Sequence, residues 1–289
     1  MIALLMTALP YARRRIRPGR AALLAALVCC LAGTGNAHAA PSAKPFSPSG
    51  KEPPAHARLL DAGRDEATGQ YRAVVEIVLA PGYKTYWREP GDSGVPTTFD
   101  WEGSRNVAAA QAFFPAPTRF FDGIGYAVGY LETVRFPVLV DPAATGPAAL
   151  QLELSFGVCR EICIPEQASL RLDLSGVPAV AGLWEEAHAR VPVSTPAGQT
   201  AADLVVRGVR LDASSLTVEV AGAVTDVFAE APAPWRFGQP ARKEGADGAV
   251  FVLPVEKADG SAVTVPLTLT VTGERAAIEV PVAAGVAGR

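Results

Sequence analysis

Histidine, methionine and cysteine are scarce: the 289-residue chain has 3, 2 and 4 of them, and Met1, Met6, His38, Cys29 and Cys30 all fall in the first forty positions. Beyond that segment remain the cysteines Cys159 and Cys163, the histidines His56 and His188, and no methionine. Two thiols and two widely separated histidines make no obvious set of three or four zinc ligands, and copper sites built on methionine are excluded. The expectation is therefore no metal and no cofactor. His188 lies in a charged, helix-like run and His56 in a proline-rich lead-in, so no Ser-His-Asp or Cys-His-Asn spacing supports hydrolase chemistry. Charge of one sign is lacking too, with a net charge of -3 and basic residues scattered outside the N-terminus. That argues against nucleic acid or an anionic membrane as partner. No later run approaches the roughly 20 apolar residues of a membrane span without charges or prolines, so the mature chain is expected to have no transmembrane segment and to be soluble.

The first residues have their own pattern. Arg13, Arg14, Arg15, Arg17 and Arg20 precede an apolar run from Ala21 to Ala32, and Ala37-His38-Ala39 supplies a small-x-small cleavage signal ahead of Ala40. This order reads as a secretory signal peptide over residues 1–39, hence an exported, periplasmic protein. Cys29 and Cys30 raise a lipoprotein alternative, but Val28 and Cys29 stand where a small residue should precede a lipidated cysteine. Arg13-Arg14 raise a twin-arginine alternative, which the neighbouring residues fit poorly. Residues 40–56, rich in proline, serine and lysine, form a flexible lead-in.

From residue 57 the pattern is β. Tyr71 to Leu79 is rich in branched residues and closes at Pro81-Gly82; Tyr83 to Trp87, Thr98 to Trp101 and Phe136 to Val140 are further strands. Phe113 to Tyr126 mixes aromatics with glycines and prolines, as in a loop with mobile backbone and adhesive side chains. Leu150, Leu152, Leu154 and Phe156 alternate with polar residues, as do Leu170, Leu172 and Leu174. About seven short strands over roughly 120 residues predict a sandwich, most naturally immunoglobulin-like. Residues 177–199 read as a short helix and linker, with acids before bases and breaks at Val191-Pro192 and Ser194-Thr195-Pro196. Alternation resumes through Leu216, Val218 and Val220 and again from Val263 to Val271, predicting a second, smaller all-β domain over 200–289. Pro266 suggests that its strand lies at a sheet edge.

Cys159 and Cys163 sit on the connection between two of these strands, unlike a Cys-x-x-Cys that opens a helix. Two readings stay open. A structural disulfide is the ordinary expectation for an exported protein. Yet a loop this short gains roughly 2 kcal/mol in the entropic model, against about 4.7 for a hundred-residue loop, and a sandwich would be better stapled between its sheets. A pair close in sequence, with Pro165 stiffening the exit, can instead switch between dithiol and disulfide with little rearrangement. The aromatic segment likewise divides between core filling and a role at the cysteines.

Several stretches together carry a family resemblance: Gly82-Tyr83-Lys84-Thr85-Tyr86-Trp87, Asp92-Ser93-Gly94-Val95-Pro96, Phe114-Pro115-Ala116-Pro117, Ile124-Gly125-Tyr126, Phe136-Pro137 and Val158-Cys159-Arg160-Glu161-Ile162-Cys163-Ile164-Pro165. The run resembles the N-terminal periplasmic domain of the DsbD family of thiol:disulfide interchange proteins, in its ScsB-like branch. The resemblance implies an immunoglobulin-fold redox domain over residues 57–176. It implies Cys159 and Cys163 as the catalytic pair, the second cysteine forming the mixed disulfide with a partner. It further implies a cap over the cysteines from the segment with Phe120, Phe121 and Tyr126; within it Phe121 and Tyr126 are the expected shielding rings, and Gly123 and Gly125 are read as hinges that allow opening. The partners it implies are a membrane-embedded thiol transporter as electron donor and thioredoxin-like periplasmic proteins. Family members usually continue into a polytopic membrane domain and a thioredoxin-like domain; this chain ends at Arg289, which leads to the expectation of a donor on a separate polypeptide. The leading alternative is a non-catalytic adaptor with a structural disulfide.

Overall fold

The computed structural model describes residues 53–286 apart from 124, 246, 259 and 261. The expected signal peptide, with Cys29 and Cys30, and all but residues 53–56 of the expected lead-in lie outside the described residues. The chain runs β1 (Ala55–Arg64), β2 (Tyr71–Leu79), β3 (Thr85–Gly91), β4 (Thr98–Asp100), β5 (Val107–Ala112), β6 (Thr118–Phe121), β7 (Tyr126–Tyr130), β8 (Val134–Pro142), β9 (Ala148–Cys159), β10 (Cys163–Leu174) and α1 (Leu183–His188). It continues through β11 (Val193–Ser194), β12 (Val205–Leu211), β13 (Ser215–Ala221), β14 (Val224–Glu230), β15 (Arg236–Phe237), β16 (Ala241–Gly245), β17 (Gly248–Lys257), β18 (Thr264–Gly273) and β19 (Ala277–Gly285).

The first half packs the sheet β1-β2-β8-β5 against β10-β9-β4, with a third sheet, β3-β7-β6, at one end. Strand β2 shows how sequence becomes layer. Tyr71, Ala73, Val75 and Ile77 alternate onto one face and join Phe136 and Val138 of β8 and Leu150, Leu152 and Leu154 of β9 in the main core. Val74 and Glu76 face the other way and are buried as well, which is why β2 reads as a near-continuous apolar run. Helix α1 covers that second face: Leu183, Trp184 and Ala187 pack with Val74, Leu60 and Leu139. Glu76 pairs with Arg58 and Arg135, and Arg135 reaches Glu186 of α1. Burial pushes the Glu76 carboxyl up, but the hydrogen bonds from Arg135 and Arg58 prevail and hold it below the usual carboxylate range. At the centre of the main core Phe136, fully buried, meets the rings of Phe99, Phe114 and Tyr130 at 5.2, 5.3 and 5.6 Å.

The second half pairs β11-β19-β18-β14 in one sheet and β12-β13-β17-β15 in the other, with β16 also on β17. Leu216, Val218, Phe251 and Leu253 face Val265, Leu267, Leu269 and Val271 across its core. The protein is thus all-β, an immunoglobulin-like sandwich followed by a second, smaller sandwich.

Three local expectations are corrected. The first half has ten strands among the described residues rather than about seven. The aromatic segment is not simply a loop: Thr118 to Phe121 pair with Gly129 to Tyr126 as a ribbon, because the glycines and prolines punctuate a hairpin. Strand β18 is interior to its sheet, yet the β14 ladder stops at Thr268. Pro266 therefore has a neighbour only in Ala283 of β19, and the edge character that proline needs is local.

Candidate thiol-disulfide site

Strands β9 and β10 form a hairpin whose last pair is Cys159 with Cys163, leaving Arg160, Glu161 and Ile162 as its tip. Lys84, just ahead of β3, exchanges both backbone hydrogen bonds with Cys159 at 2.9 Å each. The main-chain polar groups of Cys159 are therefore turned toward Lys84, and its pairing with Cys163 is of the closely spaced, non-hydrogen-bonded kind. The two Cα atoms are 4.2 Å apart and the sulfurs are joined in a disulfide. Their surroundings differ: Cys159 is 2% exposed, whereas Cys163 is only half-buried.

One face of the small sheet β3-β7-β6 lies over this pair. Tyr86 stands opposite Gly129, and Phe120 opposite Ala127, so alternation places Tyr86, Ala127 and Phe120 on one side. These residues pack with Cys159 and Cys163 in a cluster separate from the main core. The fully buried Tyr86 donates through Oη to Cys159 Sγ at 2.7 Å, and the same oxygen lies 3.0 Å from Cys163 Sγ. Neither sulfur of a disulfide carries a proton, so the phenol is the donor. Burial, and secondarily the charge of Asp122, push the Tyr86 pKa up to about 12, which keeps that proton in place. Two glycines permit this close approach, Gly129 for the β3 backbone and Gly157 for the Tyr86 ring. A Cβ at Gly129 would lie 2.1 Å from the Thr85 carbonyl oxygen, and one at Gly157 would lie 2.9 Å from Tyr86 Cδ2. The ammonium of Lys84 sits 5.2 Å from the centroid of Phe120, adding positive charge at the edge of the cluster.

Of the three rings expected to form a cap, Phe120 packs with the cysteines. Phe121 and Tyr126 face one another at the ribbon end, centroids 5.6 Å apart, and are 60% and 37% exposed. They lie outside the sulfur cluster; on the β9–β10 hairpin itself Ile162 is 77% and Ile164 44% exposed, which gives it an apolar surface. The turn joining β6 to β7 is tied down: Gly125 N–H donates to Asp122 Oδ1 at 3.1 Å, Ser93 Oγ donates to Asp122, and Tyr126 N–H donates to Asp92 Oδ2 at 3.3 Å. Sequence reasoning missed the position of Tyr86. Its only signal was a tyrosine in a strand with apolar company, a residue type whose hydroxyl needs a partner once buried.

Among the described residues no group of three or more His, Cys, Asp or Glu side chains is placed to hold a metal, and no helix is long and apolar enough to cross a membrane.

A hairpin disulfide with unequal sulfurs, covered by the aromatic face of a small sheet beside an immunoglobulin-like sandwich, defines a redox-type β domain. Residues 53–175 match the family model described as thiol:disulfide interchange protein DsbD, N-terminal. This match and the structural similarity that follows support a DsbD-family N-terminal domain in this part of the chain. The chain is also similar to the crystal structure of the N-terminal periplasmic domain of ScsB from Proteus mirabilis, at 27% identity and TM-score 0.63, over 80% of this chain and 94% of that one. A lesser similarity, 16% identity and TM-score 0.27 over 42% of this chain and 84% of the other, is to the reduced DsbD N-terminal domain of Neisseria meningitidis; nothing below rests on it. Comparison with curated proteins found no match.

Proposed function

We propose that the protein is a periplasmic thiol:disulfide interchange protein, relaying reducing equivalents from a membrane-embedded thiol transporter to oxidised thioredoxin-like proteins through Cys159 and Cys163. The observation that carries the reading is the asymmetry of the pair: one sulfur reachable at a hairpin tip, the other buried against a phenolic O–H. In the oxidised protein a donor thiolate attacks Cys163 Sγ, a mixed disulfide forms, and the electron pair of the broken S–S bond leaves on Cys159 Sγ, where Tyr86 donates a hydrogen bond. The second donor thiol then attacks the mixed disulfide, releasing the donor as a disulfide and this protein as a dithiol. Discharge runs the same path outward: Cys163 attacks the acceptor disulfide and Cys159 resolves it, two electrons moving in each half. Phe120 shields the pair between encounters, and Phe121, Ile162 and Ile164 supply a small apolar contact for a brief complex.

The periplasmic assignment is supported by the signal-like N-terminus and by the periplasmic relative. Residues 57–176 act as the redox domain, 177–199 as the linker and 200–289 as a second domain. The structural-staple reading is disfavoured because so short a loop gains only roughly 2 kcal/mol in the entropic model, and the β9–β10 ladder already holds the two residues opposite one another in the folded protein. Trapping tests the proposal. Cys159→Ala should accumulate a covalent complex with a thioredoxin-like partner, and Cys163→Ala should not. A native disulfide that persists under excess thioredoxin-like reductant overturns the relay and leaves the adaptor reading; trapping by Cys163→Ala alone reverses the two roles.

A further inference from the structure

The sheet that covers the disulfide has a second face, where Trp87 and Val128 join the core of the first sandwich and β14 of the other sandwich adds further contacts. Trp87 and Arg119 are the chain neighbours of Tyr86 and Phe120, so strand alternation turns them away from the sulfurs. Arg119 donates through Nε to Asp226 Oδ2 at 3.0 Å and through Nη2 to the Val227 carbonyl at 3.1 Å, with its guanidinium 4.7 Å from the Phe228 ring centroid. Trp87 meets the same Phe228 ring edge-on at 5.7 Å. Arg88, past an irregularity in the β3–β7 register, forms a two-pronged pair with Glu230, both bonds 2.7 Å, and also reaches Glu279. Asp226, Val227, Phe228 and Glu230 all belong to β14.

These pairs differ from surface decoration. Arg119 and Asp226 are 15% and 22% exposed, and Arg88 and Glu230 are 29% and 17%; Arg207 and Asp247, elsewhere on the second sandwich, are 54% and 70%. Two-pronged, partly desolvated guanidinium–carboxylate pairs are among the stronger polar contacts, whereas exposed pairs contribute almost nothing.

We propose that the second sandwich is a clamp that sets how readily the aromatic ribbon lifts from the disulfide, with Arg88 and Arg119 as positioning residues acting through Tyr86 and Phe120. Because Tyr86 and Arg88 share β3 while Phe120 and Arg119 share β6, the small sheet that carries the ribbon opens only by dragging Arg88 and Arg119 across β14. The inference rests on the reading of the ribbon as a shield, and it gives the second sandwich a part in the chemistry without any contact to sulfur.

The test uses the whole chain after chemical reduction and removal of the reductant, with iodoacetamide as probe. The double variant Asp226→Asn, Glu230→Gln should alkylate Cys163 about tenfold faster than the parent, the factor expected when a charge-assisted contact becomes a neutral one. Amide exchange across residues 118–130 should quicken with it. Asp247→Asn should leave both readings unchanged, and Asp226→Glu, which keeps the charge, should stay close to the parent. If the double variant does not fold, Arg119→Lys keeps the charge while losing the fork and the stack on Phe228, and a faster alkylation rate is still required. An unchanged rate in a folded variant, or an equal acceleration in Asp247→Asn, overturns the clamp. Alkylation needs no protein partner, so failure of the relay in the trapping experiment would leave this result separately readable.

Discussion

Tyr86→Phe removes one oxygen and leaves the ring, so the packing among Ala127, Phe120 and the cysteines persists while the donor 2.7 Å from Cys159 Sγ is lost. When a thiolate attacks Cys163, negative charge grows on the departing Cys159 sulfur, and the phenol is the nearest donor to it. A hydrogen bond to a fully charged group contributes about 1.5–3 kcal/mol. With roughly half the charge developed at the transition state, about 0.8–1.5 kcal/mol of barrier is at stake, a rate factor of roughly four to twelve. The assay is rapid-quench reduction by dithiothreitol, with the dithiol product counted by alkylation and mass. Since burial pushes the Tyr86 pKa up to about 12, the O–H is present at every pH from about 6 to 10. Both proteins should therefore quicken with pH as the attacking thiol ionises, while the ratio between them stays flat. Equal rates for parent and variant would refute the reasoning. A ratio that collapsed between about pH 7 and 9 would assign the donor to a group other than this phenol.

Phe120→Ala should speed alkylation of the reduced protein several-fold, and the double variant Phe121→Ala, Tyr126→Ala should do so less, because only Phe120 packs with the sulfurs; the reverse order would move the shield to the ribbon end. Glu76→Gln should flatten the acid limb of stability against pH. Its folded carboxyl is held below the ordinary value of 4.5, so the stabilisation is present above that value and lost as pH falls through the lowered one. Urea unfolding across that range measures it, and parallel curves for parent and variant would count against the buried pair with Arg58 and Arg135. Phe136→Ala, at the meeting point of the rings of Phe99, Phe114 and Tyr130, should cost about 3–5 kcal/mol of unfolding free energy. A loss under about 1.5 kcal/mol would mean that the ring cluster collapses to fill the space.

Local pattern carried much of this protein. Alternation alone determined that Leu150 to Phe156 and Leu170 to Leu174 are strands, and that the cysteines between them sit on their connection, because a period of two records which face of a strand is buried. The expectation of no metal and no hydrolase chemistry rested on residue inventory, which needs no fold. The two sandwiches were legible for the same reason, as separate stretches of alternation around a helix-like interruption. Other features depended on partners far away in the chain. Whether Cys159 and Cys163 form a closely spaced pair is decided by Lys84 taking the backbone bonds of Cys159, a contact across 75 residues. Which ring covers the sulfurs is decided by the register that sets Phe120 opposite Ala127 rather than one residue along, and a slip of one would exchange Phe120 for Phe121. The helix behind Val74 explains a β2 that fails to alternate, and the end of the β14 ladder at Thr268 explains a proline inside an interior strand. Tyr86 and Arg119 are ordinary strand residues in the sequence. Only the packed structure puts one against a disulfide and the other against β14, because burial and pairing are properties of neighbours that the chain brings together by folding.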